Sequence, residues 1–149
     1  MSKQNKEYLF LLIKSLSKSE KRQFKLFVGR VKSNKDSKFI KKINLKGYTL
    51  NFRSKYRAAD IEKKKNSIVP GGLYEISKSD EKKLDIYEDY PILYKKMYFN
   101  YYNKIVMTYI MPKKTIFRYP TERYLNVVKQ GYKDCKLDKK YLKKALVNF

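Results

Sequence analysis

The sequence predicts an α+β fold, in which a small curled antiparallel or mixed sheet buries the apolar faces of helices. Residues 47–53 (GYTLNFR) alternate between apolar and polar side chains, which is the period of a strand. Residues 120–132 (PTERYLNVVKQGY) place their apolar side chains at the spacing of one helical face. Strand patterns followed by helical patterns, without regular βαβ alternation, favour α+β over a parallel α/β sheet.

The first 42 residues differ in character from the rest. Residues 6–16 form a short apolar helix or strand, and periodicity alone does not decide between the two. The residues SKSE at 17–20 form a capping box that predicts a following helix of about 15 residues. We therefore expect a helical N-terminal segment over 1–42 and a separate domain over 43–149.

Elements within 43–149 follow from local patterns. The motif SIVPGGLYEI contains Pro70, Gly71 and Gly72, which indicate a bulge, a barrel corner or a close backbone approach. Asp138 is expected to cap the last helix. The predicted strands are 47–53, 58–62, 67–76, 94–101 and 105–111, and the predicted helices are 78–88, 120–132 and 137–146.

The composition excludes several classes of protein. The chain has no histidine and a single cysteine, so histidine triads, histidine metal ligands and an internal disulfide are ruled out. Nothing approaches the ~20 apolar residues of a membrane-spanning helix. We expect a protein of the reducing cytoplasm, without membrane association, that needs neither metal nor cofactor.

The formal net charge of +23 suggests an anionic partner. Only six of the 37 basic residues are arginines, and the lysines are spread along the whole chain. Specific nucleic-acid sites favour arginine forks and clustered basic residues. The pattern favours compositional bias of an AT-rich coding sequence, with nucleic acid bound only non-specifically if at all.

The stretch LDIYEDYP at 84–91 places three acids, Asp85, Glu88 and Asp89, among apolar and aromatic residues. A solvated helix end is one explanation for Glu88. Any acid–base chemistry in this chain must use a carboxylate, a lysine, a tyrosine, the cysteine or a terminus.

The chain resembles the γ-glutamylcyclotransferase-like family, which includes the AIG2-like proteins. The resemblance covers about 46–146, and its pieces occur in the family's order. They are LKGYTLNFR (45–53), IVPGGLYEIS (68–77), LDIYEDYP with the following Tyr94 (84–94), VMTYIM (106–111) and PTERYLNVVKQGYKDCKLDKKYL (120–142). The resemblance implies a small twisted β-barrel, mixed or antiparallel, with flanking helices.

The resemblance also implies a chemistry. Members of the family release 5-oxoproline from γ-glutamyl amines or peptides, because the substrate's α-amine attacks its own γ-carbonyl. By resemblance Glu88 is the catalytic acid–base, and Tyr94 and Tyr124 are substrate-binding residues. The alternative for both tyrosines is a core aromatic with one solvated edge.

Two departures from the family pattern matter. The family begins with a strand and a turn of the YGSNL type that holds the γ-glutamyl group, and we do not find it in YLFLLIKSL at 8–16. Asp89 stands where the family usually has glycine. The alternatives to an active enzyme are a catalytically impaired relative that serves as an interaction module, or a basic nucleic-acid-binding protein. The oligomeric state is not predicted.

Overall fold

A computed structural model describes residues 7–11, 38–54 and 56–147. These residues form five strands and three helices. The strands are β1 (Glu7–Leu11), β2 (Lys38–Asn51), β3 (Asp60–Ile76), β4 (Lys95–Tyr101) and β5 (Lys104–Ile110), and the helices are α1 (Lys78–Tyr87), α2 (Glu122–Asp134) and α3 (Lys139–Leu146).

The five strands form one mixed sheet in the order β2-β3-β1-β5-β4. Strand β1 is antiparallel to β3 and parallel to β5, while the pairs β2–β3 and β4–β5 are antiparallel. The predicted α+β class is confirmed. The two predicted strands at 58–62 and 67–76 are parts of one long strand, β3.

The helical prediction for 1–42 is wrong for the residues of that range that the structure describes. Glu7–Leu11 is the central strand of the sheet, and Leu9 and Phe10 are each only 1% exposed because both faces of β1 are covered. A short apolar run of this kind does not distinguish a buried strand from a helix by its periodicity. The helix predicted to follow residues 17–20 lies outside the described residues.

Strand β2 begins at Lys38, so a domain boundary at residue 42 would fall within a strand. Its early part is rich in lysine. Ile43 and Leu45 point into the core, whereas Lys42, Asn44 and Lys46 are exposed. Lysine is common on edge strands such as β2, where it discourages pairing with other chains.

The glycine at position 72 permits a close approach, which was one of the three expectations for the Pro-Gly-Gly motif. A Cβ atom there would lie 2.8 Å from a ring carbon of Tyr74 and 3.3 Å from one of Phe39. Pro70 precedes the part of β3 that pairs with β1, since that ladder ends at Gly72. Its missing N–H is therefore not required for pairing with the described part of β1.

The sheet curls so that its two edge strands approach each other. The Nζ atom of Lys41 on β2 lies 5.4 Å from the ring centroid of Tyr101 on β4 and 5.8 Å from that of Tyr102. Among the described residues β2 and β4 share no backbone ladder, so the sheet is not closed as the predicted barrel would be.

Alternation along the strands produces two hydrophobic clusters. The inner cluster contains Phe10 and Val106 together with the apolar faces of α2 and α3. The outer cluster contains the neighbouring residues Leu9 and Met107, and α1 contributes Leu84 to it. The two clusters lie on opposite faces of β1 and β5, because adjacent residues of a strand point in opposite directions.

Each helix begins within two residues of its predicted start. Ser77, Thr121 and Asp138 are the N-cap residues, and each accepts a hydrogen bond from a backbone N–H of the first turn. Such caps satisfy donors that a helix leaves without internal partners. No helix in the described part of the chain is long and apolar enough to cross a bilayer.

Candidate functional site

Glu88 is the C-cap residue of α1, and its backbone N–H donates to the Leu84 carbonyl at 2.8 Å. The residue is only 5% exposed. This burial does not fit a solvated helix end, which was the alternative explanation for an acid at this position. Carboxylates are rarely buried to this degree unless they are paired or have a function.

Asp89, the next residue, has a φ of 50°, in the left-handed region. The chain turns sharply here: the Asp89 N–H donates to the Ile86 carbonyl at 3.2 Å, and the Asp89 carbonyl accepts from the Leu93 N–H at 2.8 Å. Glycine adopts this conformation without a steric cost, and aspartate adopts it more readily than most other residues. The positive φ gives a physical reason why glycine would suit the position that Asp89 occupies.

The two predicted substrate-binding tyrosines lie in different places. Tyr94 is 6% exposed and belongs to the outer cluster, together with Leu84 of α1. Tyr124 packs against the inner cluster, with its ring edge-on to that of Phe52 at 6.4 Å. The Tyr124 hydroxyl accepts a hydrogen bond from the Ala59 N–H at 2.6 Å. The structure thus separates the two tyrosines rather than bringing them together, and their roles in substrate binding stay predictions.

A polar network that the sequence did not predict connects α1 to β4 and β5. Tyr109 donates from its hydroxyl to Asp85 Oδ1 at 2.6 Å. Lys96 donates from Nζ to Asp85 Oδ2 at 3.0 Å and to Glu81 Oε1 at 2.7 Å. Asp85 and Glu81 lie one helical turn apart on α1, so both face the sheet at the same side of the helix.

The environment of this network shifts the pKa values of its members. Burial and then the hydrogen bond to Asp85 raise the pKa of Tyr109 well above its ordinary value, so the hydroxyl keeps its proton. Burial alone lowers the pKa of Lys96, but the hydrogen bonds to Glu81 and Asp85 outweigh it and leave this pKa above its ordinary value. Both groups are therefore fixed as donors at neutral pH.

Glu7 on β1 extends the network to the centre of the sheet. Its hydrogen bond with Glu81, followed by burial and the charge of Glu81, raises the pKa of Glu7 to about 7. The same bond lowers the pKa of Glu81. One proton is thus shared between the two carboxyl groups, with Glu7 as the group that carries it.

The model of the gamma-glutamyl cyclotransferase, AIG2-like family matches residues 16–132. The chain belongs to this family. No functionally curated protein matches the chain.

Solved structures show the same fold at low identity. The uncharacterized human protein loc79017 is 18% identical, with a TM-score of 0.69 over 97% of this chain and 88% of that one. A structure titled gamma-glutamyl cyclotransferase is 17% identical, with a TM-score of 0.67 over 97% of this chain and 89% of that one. YkqA from Bacillus subtilis is 21% identical, with a TM-score of 0.70. The match covers 94% of this chain but only 52% of YkqA. At these identities the likeness is one of fold.

This AIG2-like chain shows no metal-binding arrangement in its described part, where no three His, Cys, Asp or Glu side chains come together as a ligand set. The stretch YLFLLIKSL at 8–16, in which the family's opening strand and turn were not found, does begin within a strand, β1. The turn that would follow it lies outside the described residues.

Proposed function

We propose that the protein is a γ-glutamyl cyclotransferase in which Glu88 is the general acid–base. The observation that carries this proposal is the burial of Glu88, a residue that is 5% exposed and that by resemblance corresponds to the family's catalytic glutamate. Membership of the family supports the reaction class. The proposed substrates are small γ-glutamyl amines or peptides.

The reaction needs little from the protein beyond one proton carrier and correct placement. The α-amino nitrogen of the substrate attacks the γ-carbonyl carbon, which forms the lactam C–N bond of 5-oxoproline. The bond from that carbon to the leaving nitrogen then breaks. Nucleophile and electrophile belong to one molecule, so bringing them together has a small entropic cost.

Glu88 would carry the proton between the two nitrogens. The α-ammonium group, with a pKa of about 8 in the free state, must lose a proton before it can attack. The carboxylate of Glu88 accepts this proton and donates it to the departing nitrogen as the C–N bond breaks. It then accepts the second proton, which the lactam nitrogen loses after the attack, and passes it to the released amine, which leaves as an ammonium ion. The residue therefore ends the cycle as it began. No water is consumed.

Tyr94 is proposed as a wall of the substrate site, since it lies in the cluster that α1 covers. We also propose a cytoplasmic location. Cys135 is a free, half-buried thiol, which is compatible with a reducing compartment.

The test is release of 5-oxoproline from γ-glutamyl dipeptides and γ-glutamyl amines by the purified full-length protein. Glu88→Gln keeps the shape of the side chain but removes its basicity, and turnover should fall by at least the ~10²-fold that is typical of a general acid–base. Asp89→Asn is the matched control: it removes the adjacent carboxylate, and asparagine also tolerates a positive φ.

Two outcomes would reject the proposal. Equal turnover by wild type and Glu88→Gln would remove Glu88 from the catalytic role. A wild-type protein that releases no 5-oxoproline from any of these substrates would favour the non-catalytic interaction module.

A further inference from the structure

Asp85 precedes Glu88 by three residues, so the two side chains lie on adjacent positions of the same helical face. Both oxygens of the Asp85 carboxylate are engaged. Oδ1 accepts from the Tyr109 hydroxyl at 2.6 Å and lies 2.9 Å from Lys96 Nζ, while Oδ2 lies 3.0 Å from the same Nζ. The last two turns of α1 are thereby bound to β4 and β5.

This arrangement is well shielded from solvent. Tyr109 is 3% exposed, and the Lys96 and Asp85 side chains are 12% and 23% exposed. Hydrogen bonds to charged groups are stronger in such an environment than in water, and their directions are correspondingly restricted. The network is therefore suited to fixing the orientation of α1 rather than only its attachment.

Lys96 and Tyr109 also contact Tyr90, which follows Glu88 by two residues. Lys96 Nζ lies 4.4 Å from the ring centroid of Tyr90, and the Tyr90 ring packs edge-on to that of Tyr109 at 6.4 Å. Glu88 thus lies between two residues, Asp85 and Tyr90, that contact the same lysine and the same tyrosine. Burial and then the bond to Asp85 are the main causes of the raised pKa of Tyr109, and the charge of Glu88 adds to them.

We propose that Tyr109 and Asp85 are positioning residues for Glu88: the Tyr109 hydroxyl orients Asp85, and this bond fixes the end of α1 so that the Glu88 carboxylate faces the substrate. The kinetic part of this inference rests on the proposed function. The structural part, that the Tyr109 hydroxyl determines the position of Glu88, does not.

Lys96 has a separate task in this arrangement. Glu81 and Asp85 lie on α1 and Glu88 caps its end, and like charges at such spacing destabilise a helix. The Lys96 ammonium balances Glu81 and Asp85 directly, with Nζ–O distances of 2.7 and 2.9 Å. Lys96 thus neutralises the carboxylates of α1, whereas the Tyr109 hydroxyl sets the orientation of Asp85.

The first variant is Tyr109→Phe, which removes the hydroxyl and keeps the ring. A displacement of about 1 Å in a catalytic group costs about 10²-fold in rate, so we expect kcat to fall by about 10- to 100-fold. KM should change little, because Tyr109 does not bind substrate. Tyr98→Phe on the neighbouring strand is the control, since Tyr98 is 61% exposed, and it should leave kcat unchanged.

A second pair of variants distinguishes the hydrogen bond that Asp85 accepts from the negative charge that it carries. Asp85→Asn retains an oxygen that accepts from the Tyr109 hydroxyl, whereas Asp85→Ala removes it. We expect Asp85→Asn to keep most of the wild-type kcat and Asp85→Ala to lose about as much as Tyr109→Phe. If Asp85→Asn is as slow as Asp85→Ala, or if Tyr109→Phe turns over at the wild-type rate, the positioning role is rejected.

A measurement that does not depend on catalytic turnover distinguishes this inference from the proposed function. The ¹³C resonance of the Glu88 carboxyl, assigned with Glu88→Gln, should move in Tyr109→Phe and stay in place in Tyr98→Phe. An inactive wild-type protein with this response would reject the cyclotransferase but support the positioning contact. An unmoved resonance would reject the contact, whatever the activity.

Discussion

Asp60 at the start of β3 forms an ion pair with Lys114, which lies after the end of β5. Asp60 is fully buried and also accepts from the Met111 N–H at 3.1 Å, while Lys114 donates to the Ile61 carbonyl at 2.7 Å. Since both partners have further hydrogen bonds, the pair joins two distant parts of the chain in the interior.

Removing one partner of this pair leaves the other charge buried without compensation. We expect Lys114→Met to lower the free energy of unfolding by about 3–5 kcal/mol. This loss is measured by chemical denaturation, with unfolding monitored by circular dichroism. The exposed pair of Lys140 and Asp138 is the control, and Lys140→Met should lower the free energy of unfolding far less than Lys114→Met does. Equal effects of the two substitutions would contradict the buried role of Lys114.

The shared proton of Glu7 and Glu81 predicts a pH dependence of stability. The folded-state pKa of Glu7 is about 7, above its ordinary value of 4.5, so its contribution is fully present below pH 4.5 and is lost as the pH rises through about 7. The pKa of Glu81 is lowered, so its contribution is present above 4.5 and is lost as the pH falls. Together they favour the folded protein most on the acidic side of neutrality.

Glu7→Gln tests this dependence, because glutamine still donates to Glu81 but does not titrate. The melting temperature of the variant should change less than that of wild type between about pH 5.5 and 8, the interval that contains the raised pKa. Glu122→Gln in the exposed first turn of α2 is the control and should follow wild type. Parallel curves for wild type and Glu7→Gln would show that the two carboxyl groups do not share a proton.

Asp89 is exposed and has a positive φ, so the stability of variants at this position should depend on how well the new residue adopts that conformation. Asp89→Gly removes the steric cost and should be close to neutral or slightly stabilising. Asp89→Val places a β-branched residue in the left-handed region, where an L-residue costs about 1–2 kcal/mol, and should be the less stable of the two by about that amount. Urea denaturation gives the comparison, and a valine variant as stable as the glycine variant would argue against this backbone conformation.

The Tyr124 hydroxyl accepts from the N–H of Ala59, a residue that is 0% exposed. Tyr124→Phe leaves that N–H without this acceptor, and we expect a loss of about 1–3 kcal/mol in the free energy of unfolding. If Tyr124 is a structural residue, kcat/KM for a γ-glutamyl substrate stays near the wild-type value. A large fall in kcat/KM at unchanged stability would instead support its predicted role in substrate binding.

Much of the fold was predictable because its signals are local. Ser77, Thr121 and Asp138 cap the helices through bonds to residues two or three positions away, so a short window of sequence contains both partners. The β4–β5 hairpin and the turn at Asp89 depend on equally short segments. Glu88 was selected as the candidate catalytic residue by its motif, and the structure adds its burial.

The tertiary structure decided what depends on residues far apart in the chain. Periodicity did not distinguish a helix from a strand at Glu7–Leu11, and only its pairing with β3 and β5 makes it the central strand. Tyr109 and Asp85 are 24 positions apart, and neither Tyr109 among 15 tyrosines nor Lys96 among many lysines carries a local signal. Their contacts form only when α1 packs on the sheet, since no bond between neighbours specifies which lysine or tyrosine the helix will meet.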